Sequence, residues 1–299
     1  ASLARKRSGV RSSQAPPNKN LKIYTDINDF VEARSKISSK VALIPTMGSL
    51  HEGHVSLIKE AKNYADLLIA SLFINPKQFD SSSDFSNYPR NIKNDLEIFS
   101  KNGIDIVFAP EKSDIYPENF TSIVKIENLN EILEGSFRKG HMDGVSTIVL
   151  KLLNLSKPDY AFFGEKDFQQ LKLIERMTID LSIKTEIIPV KTVRNKNGLA
   201  LSSRNSLLSK EEVILAEEIY KSLLLGIDTY KNGIYDSNQI IKNIENYLLK
   251  FPEIKIEYVS IRDKCDFIEL KHIDRSFALL IAVYINEVRL IDNMICDLK

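Results

Sequence analysis

The chain has 299 residues, 43% hydrophobic and 27% charged, with a formal net charge of +1. That length supplies one large or two modest domains, and no apolar run approaches the roughly 20 residues needed to span a bilayer. Residues 1–20 hold five of the 41 basic side chains and none of the 40 acidic ones, so the rest of the chain is slightly acidic and lacks the basic face of a nucleic-acid-binding domain.

The basic tail (1–20), rich in Ser, Ala and Pro, reads as a disordered arm or added leader, or as part of an organelle-targeting peptide. It has no apolar core of a secretory signal, and a cytoplasmic protein is expected. Cys265 and Cys296 are far apart and have no histidine set beside them. They fit neither a disulfide scaffold nor a zinc site, and suit a reducing compartment.

The first strong strand signal, the apolar run 41–44, leads directly into Pro45-Thr46-Met47-Gly48-Ser49-Leu50-His51-Glu52-Gly53-His54. Leu57, Ile58 and Ala61 then recur at helical spacing, predicting a helix over 54–65. A strand therefore ends, turns at glycine and opens a helix, whose first N–H groups and positive dipole end suit an anion. Gly48 and Gly53 let the backbone approach a ligand, and His51 and His54 add two hydrogen-bond donors. A metal site is the competing reading. It lacks a third ligand, since Glu52 lies off the histidine face, so no metal ligands are expected from the protein.

Strands at 67–73, 104–108, 160–163 and 186–190 alternate with helices at 92–101, 144–155 and 168–181. This order predicts an α/β, Rossmann-like parallel sheet with ligands at the carboxyl ends of its strands. Asn75-Pro76-Lys77-Gln78-Phe79 follows one strand, and Gly164-Glu165-Lys166-Asp167, with Gln170 beyond, follows another. Lys166 could neutralise phosphates and Asp167 could bind a ribose hydroxyl. Asn75, Gln78 and Gln170 suit a small hydroxylated acid, or could serve local backbone groups. Residues 80–87 read as a Ser/Asp-rich loop, either a cover or a solvated connection. The cluster 134–144 brings Arg138 and His141 together before an apolar helix. They could hold a carboxylate or phosphate, or lie at a subunit contact.

Turn residues at 194–198 separate this region from an α+β pattern. Helices are predicted over 208–230 and 240–249, with Ser209 and Glu212 spaced as a capping box. A strand follows at 254–261, then a hairpin at 277–291 that turns near Asn286. The expected organisation is a tail (1–20), a Rossmann-like domain (21–193) and a smaller α+β C-terminal domain (194–299). Ser202, Ser203 and Arg204 could bind phosphate or cap a helix. No nucleophile elbow, Cys–His pair or P-loop is present, so a site here would work by positioning and charge stabilisation.

Seven ordered blocks (45–54, 73–79, 88–90, 133–144, 162–170, 201–205 and 288–293) resemble the pantoate–β-alanine ligase family of the nucleotidylyltransferase superfamily. Leu201 and Met142 depart mildly from its pattern, keeping apolar volume. The resemblance implies ATP-dependent condensation of pantoate with β-alanine through a pantoyl adenylate, releasing AMP and pyrophosphate, with Mg²⁺ accompanying ATP. It implies that His51 and His54 stabilise charge on the α-phosphate, and that Lys166 contacts phosphates. Pro45, Thr46, Met47, Gly48 and Gly53 would line the ATP pocket, with Gly164 and Asp167 at the ribose. Ser202, Ser203 and Arg204 would form a phosphate-binding loop. Gln78 and Gln170 would grip pantoate, with Asn75 beside them. Tyr88, Arg138 and His141 rank second. The partners implied are pantoate, β-alanine and ATP, with neither nucleic acid nor membrane, in a homodimer whose C-terminal domain closes over the site.

Overall fold

A computed structural model describes residues 21–79 and 82–298; the basic tail, expected to be disordered, lies outside them. Six strands form a parallel sheet: β1 (Lys22–Tyr24), β2 (Val41–Thr46), β3 (Leu67–Leu72), β4 (Ile106–Phe108), β5 (Tyr160–Gly164) and β6 (Glu186–Val190). Their spatial order is β1-β4-β3-β2-β5-β6. The connections carry helices α1 (Ile27–Ser35), α2 (Glu52–Ala61), α3 (Ser82–Asn87), α4 (Ile92–Lys101), α5 (Lys112–Ile115), α6 (Glu134–Phe137), α7 (His141–Ser156) and α8 (Phe168–Asp180).

The apolar run that opens β2 is continuous because both faces of the strand are buried. Val41 and Leu43 join one core with Val145, Ile148 and Leu152 of α7. Ala42 and Ile44, pointing the other way, join a second core with Leu57 and Ile58 of α2 and Phe99 of α4. Strand order reverses between β2 and β5, which pair in parallel through Ala42 with Tyr160 and Leu43 with Ala161. Such a reversal leaves a crevice beyond the carboxyl ends of the two strands. The 45–54 motif leaves β2 at that crevice, and Gly164–Asp167 leaves β5 there.

Beyond β6, α9 (Lys210–Lys231) and α10 (Ser237–Leu248) precede an antiparallel sheet β7-β8-β9, formed by Ile254–Asp263, Phe277–Ile285 and Val288–Cys296. Ser209 and Glu212 form the capping box that their spacing predicts, and the hairpin turns through Asn286. Strand β8 is apolar throughout because it too is packed on both sides. Leu279, Ile281 and Val283 meet the core shared with α9 and α10, while Ala278 and Leu280 join the core of the parallel-sheet body. The smaller sheet is thus docked on the larger unit. The architecture is the α/β, Rossmann-like sheet with a smaller α+β C-terminal part that the alternation predicts.

Several local expectations are corrected. Strand β1 and helix α1 lack a strong periodic signal. They are held by Asp26, which accepts the N–H groups of Asn28 and Asp29, and by Phe30, stacked on Phe108 at 4.2 Å. Residues 82–87, expected as loop, form α3. Helix α2 starts at Glu52 because His51 caps it, and α7 starts at His141 after Gly140. No helix among the described residues is long and apolar enough to cross a membrane.

Candidate active site

One cavity sits at the β2/β5 crevice, walled on its far side by the C-terminal sheet. All the sequence-predicted site residues line it except Gly48. That glycine has φ +86°, and a Cβ there would sit 2.8 Å from Oδ2 of Asp95, so its place in the site is conformational. The turn around it is held by side chains on both sides. Thr46 Oγ1 accepts the Gly48 N–H at 3.3 Å, and the Asp95 carboxylate accepts those of Ser49 and Leu50 at 3.0 and 2.8 Å. Asp95 comes from α4 and is buried.

His51 is the N-cap of α2. Its Nδ1 accepts the Gly53 N–H at 3.1 Å, and His54 Nδ1 accepts the His51 N–H at 3.3 Å. A backbone N–H can only donate, so both Nδ1 atoms are unprotonated and both Nε2 atoms carry the hydrogen. Burial, reinforced by the Lys166 charge, lowers the His51 pKa to about 4. Burial, then His51 and Lys166, lowers that of His54 to about 3. At neutral pH the pair is therefore two oriented N–H donors rather than two cations. Gly53 leaves room for the His51 ring, whose Cε1 would lie 2.7 Å from a Cβ at that position.

Across the crevice, Lys166 Nζ lies 3.5 Å from Asp167 Oδ1. The backbone beneath it is tied to strand β9: Asn293 Nδ2 donates to the carbonyls of Glu165 and Lys166, each at 2.8 Å. Arg194 grips β9 at that point through Asp292, at 2.6 and 2.9 Å, and through the Asn293 carbonyl at 2.9 Å. The Ser202–Arg204 segment caps a short helical turn and also lines the cavity. Ser202 caps a 3₁₀ turn by accepting the Arg204 N–H at 3.2 Å, Ser203 Oγ donates to the Ser49 carbonyl at 3.2 Å, and Arg204 reaches the cavity. Arg204 Nη2 donates to Asp84 of α3 at 3.0 and 3.2 Å. Burial raises the Tyr88 pKa, with Ser203 its hydrogen-bond partner.

The Arg138–His141 cluster faces Gln78. Arginine only donates, so His141 Nε2 accepts from Arg138 Nη1 at 3.1 Å, and His141 Nδ1–H donates to the Gln78 carbonyl at 2.6 Å. Burial and then the Arg138 charge lower the His141 pKa to about 4, so it too is neutral. Behind it, Glu134 accepts both arms of Arg289 at 2.8 and 2.7 Å and the Tyr258 hydroxyl at 2.7 Å. Burial raises the Glu134 pKa, but Arg289, Tyr258 and Arg138 outweigh it and hold the group at about 2. Gln169 and Gln170 both line the cavity, but the Gln169 amide is taken up by backbone groups at 129, 132 and 134.

Asp84, Asp95, Glu134, Tyr258, Arg289 and Asn293 were missed as site residues. Glu134, Asp84 and the 288–293 block lay inside segments already singled out, but an isolated carboxylate such as Asp95 leaves no signal along the chain. Among the described residues, no three His, Cys, Asp or Glu side chains gather as a metal site. Donors, not metal ligands, dominate the crevice.

Residues 21–295 match the family model for pantoate-beta-alanine ligase. The chain belongs to the pantoate–β-alanine ligase family. It is 44% identical over 269 residues to the pantothenate synthetase of Aquifex aeolicus, covering 90% of this chain and 95% of that relative. It is 42% identical over 278 residues to that of Thermosipho africanus, covering 92% and 100%. The crystal structure of the Thermus thermophilus pantothenate synthetase superimposes with a TM-score of 0.87 at 35% identity, covering 91% of this chain and 98% of that one. The Francisella tularensis pantoate-beta-alanine ligase, complexed with beta-gamma ATP and beta-alanine, gives 0.76 at 34% identity, covering 92% and 97%.

Proposed function

We propose that this ligase condenses pantoate with β-alanine at the β2/β5 crevice, using ATP. The observation that carries the reading is the fixed tautomer of His51 and His54, whose Nε2–H groups are aimed by backbone caps at the start of α2. In the first step a pantoate carboxylate oxygen attacks the α-phosphorus, the bond to the β-phosphate bridging oxygen breaks, and pyrophosphate leaves. The two Nε2–H donors and Lys166 stabilise the charge that grows on the phosphate oxygens. Arg204 exchanges Asp84 for a phosphate, and Ser202 and Ser203 hold the same triphosphate. In the second step the uncharged β-alanine amine attacks the acyl carbon, the acyl–oxygen bond breaks, AMP leaves, and the new amide nitrogen loses a proton. Both nucleophiles belong to substrates, consistent with a site that lacks one of its own.

Pro45, Thr46, Met47, Gly53, Gly164 and Asp167 line the nucleotide half of the cavity, and Gln78 and Gln170 the pantoate half. Mg²⁺ enters as part of the MgATP substrate, keeping phosphate and water ligands. Residues 194–299 act as the unit that covers the site. The homodimer implied by the family resemblance belongs to the same proposal, and sedimentation equilibrium tests it.

The decisive assay follows AMP and pyrophosphate release with pantoate and β-alanine omitted in turn. Sustained AMP release that needs both acids, with one pyrophosphate per enzyme formed from ATP and pantoate alone, supports the two-step ligase. Steady turnover without β-alanine would contradict it.

A further inference from the structure

Gln78 lines the cavity on the short turn Pro76–Gln78, which lies against the start of α7. The two segments approach so closely that a Cβ at Gly144 would be 2.2 Å from the Lys77 carbonyl oxygen and 2.8 Å from the Gln78 nitrogen. The Asn75 side chain fills the junction and is fully buried. Two backbone groups decide which way its amide faces. The Lys77 N–H, which can only donate, meets Asn75 Oδ1 at 3.2 Å, and the Gly144 carbonyl, which can only accept, meets Nδ2 at 3.0 Å. The Tyr116 hydroxyl donates to the same Oδ1 at 2.8 Å. Burial raises the Tyr116 pKa, so the hydroxyl keeps its proton. Its ring is held against Phe120 at 5.1 Å, with Lys77 Nζ 4.8 Å over its face.

With Asn75 fixed, its second amide hydrogen meets Gln78 Oε1 at 3.1 Å. The carbonyl end of the Gln78 amide is thereby occupied, and the NH₂ end is left to the cavity. We propose that Tyr116 and Asn75 are positioning residues that lock the Gln78 amide with its NH₂ toward the ligand, so that this position reads a hydrogen-bond acceptor on the hydroxy acid. A glutamine free to flip would offer donor and acceptor alike. A locked one favours a carboxylate or an ether-like hydroxyl lone pair and disfavours a group that can only donate. His141 and Arg138 complete the arrangement by anchoring the main-chain carbonyl of Gln78. The inference rests on the reading that pantoate binds at Gln78.

The test is a double-mutant cycle on KM for pantoate and KM for ATP, using Tyr116→Phe, Gln78→Ala and the pair. Tyr116→Phe removes one hydroxyl and keeps the ring. It is expected to raise the pantoate KM about fivefold, the effect of one lost hydrogen bond, and to leave the ATP KM within about twofold. In the Gln78→Ala background the same change is expected to have no further effect on pantoate, because its action runs through the missing amide. Additive losses, with Gln78→Ala itself impaired for pantoate, overturn the relay and leave the pantoate site standing. A normal pantoate KM in Gln78→Ala overturns both. Equal rises in both KM values for Tyr116→Phe assign it a general structural role and overturn the relay.

Discussion

His54 accepts the backbone N–H of His51 through Nδ1 at 3.3 Å, so each ring is oriented by the helix it helps to begin. The capping atom and the proposed phosphate donor are opposite ends of one imidazole. The two roles can be separated with His54→Asn, because an asparagine Oδ1 occupies the place of Nδ1 but nothing replaces Nε2. We expect this variant to keep its thermal stability and to form the adenylate about 10²-fold more slowly, the scale of one lost oriented donor. Single-turnover pyrophosphate release measures it, and a near-normal rate would remove His54 from the chemistry.

Neutral buried histidines also set a pH dependence of stability. In the unfolded chain each binds a proton below about pH 6.5. In the folded chain His51 and His141 do so only near about 4 and His54 near about 3. Their contribution is complete above about pH 6.5 and is lost as pH falls through that window, where the unfolded state binds more protons. Tm should therefore drop between pH 7 and 5. The slope should shrink in His141→Gln, and an unchanged slope there would show that His141 takes up its proton while folded.

Asp95 is the anchor of the turn before the histidines. Asp95→Ala leaves the N–H groups of Ser49 and Leu50 without their acceptor, at a cost of about 3 kcal/mol. Denaturant titration should register that loss, and the ATP KM should rise with it because the turn leads into His51. A variant as stable as the parent would mean that water replaces the carboxylate without strain.

Asn293 acts from the smaller sheet on the lysine of the larger one. In Asn293→Ala the carbonyls of Glu165 and Lys166 lose a shared donor. We expect the ATP KM to rise about tenfold, with the pantoate KM unchanged. Isothermal titration with a non-hydrolysable ATP analogue separates the two. Unaltered nucleotide affinity would show that Lys166 holds its position without β9.

Glu134 of α6 and Arg289 of β9 tie the parallel-sheet body to the smaller sheet through a buried bidentate ion pair. Arg289→Met should destabilise the fold by about 3–5 kcal/mol, because the buried Glu134 loses both guanidinium hydrogen bonds and keeps only the Tyr258 hydroxyl and the more distant Arg138 charge. Adding Glu134→Gln should recover part of that loss. A single variant more stable than the double would point to a replacement partner for Glu134, Arg138 being 3.8 Å away.

Much of the fold was legible because the signals are local. The run at 41–44 has no polar face, which is what a strand buried on both sides requires, and Ser209 with Glu212 announces α9 at a fixed spacing. Strand β1 escaped notice because three residues with two exposed side chains carry no periodicity. Helix α3 escaped because Ser, Asp and Asn, which dominate it, favour turns.

What the sequence determined by itself was a set of candidate residues: two histidines at a helix start, a lysine after a strand and two amides, placed by short-range strand-to-helix turns, and a Ser-Ser-Arg segment beyond the last parallel strand. Only the tertiary structure decided their chemical state. The tautomer of His51 depends on the N–H it caps, the direction of the Gln78 amide on Tyr116 some forty residues away, and the seating of Lys166 on an asparagine from another sheet. Hydrogen-bond polarity is set by whichever donor or acceptor faces a group in space, and long-range packing chooses that partner.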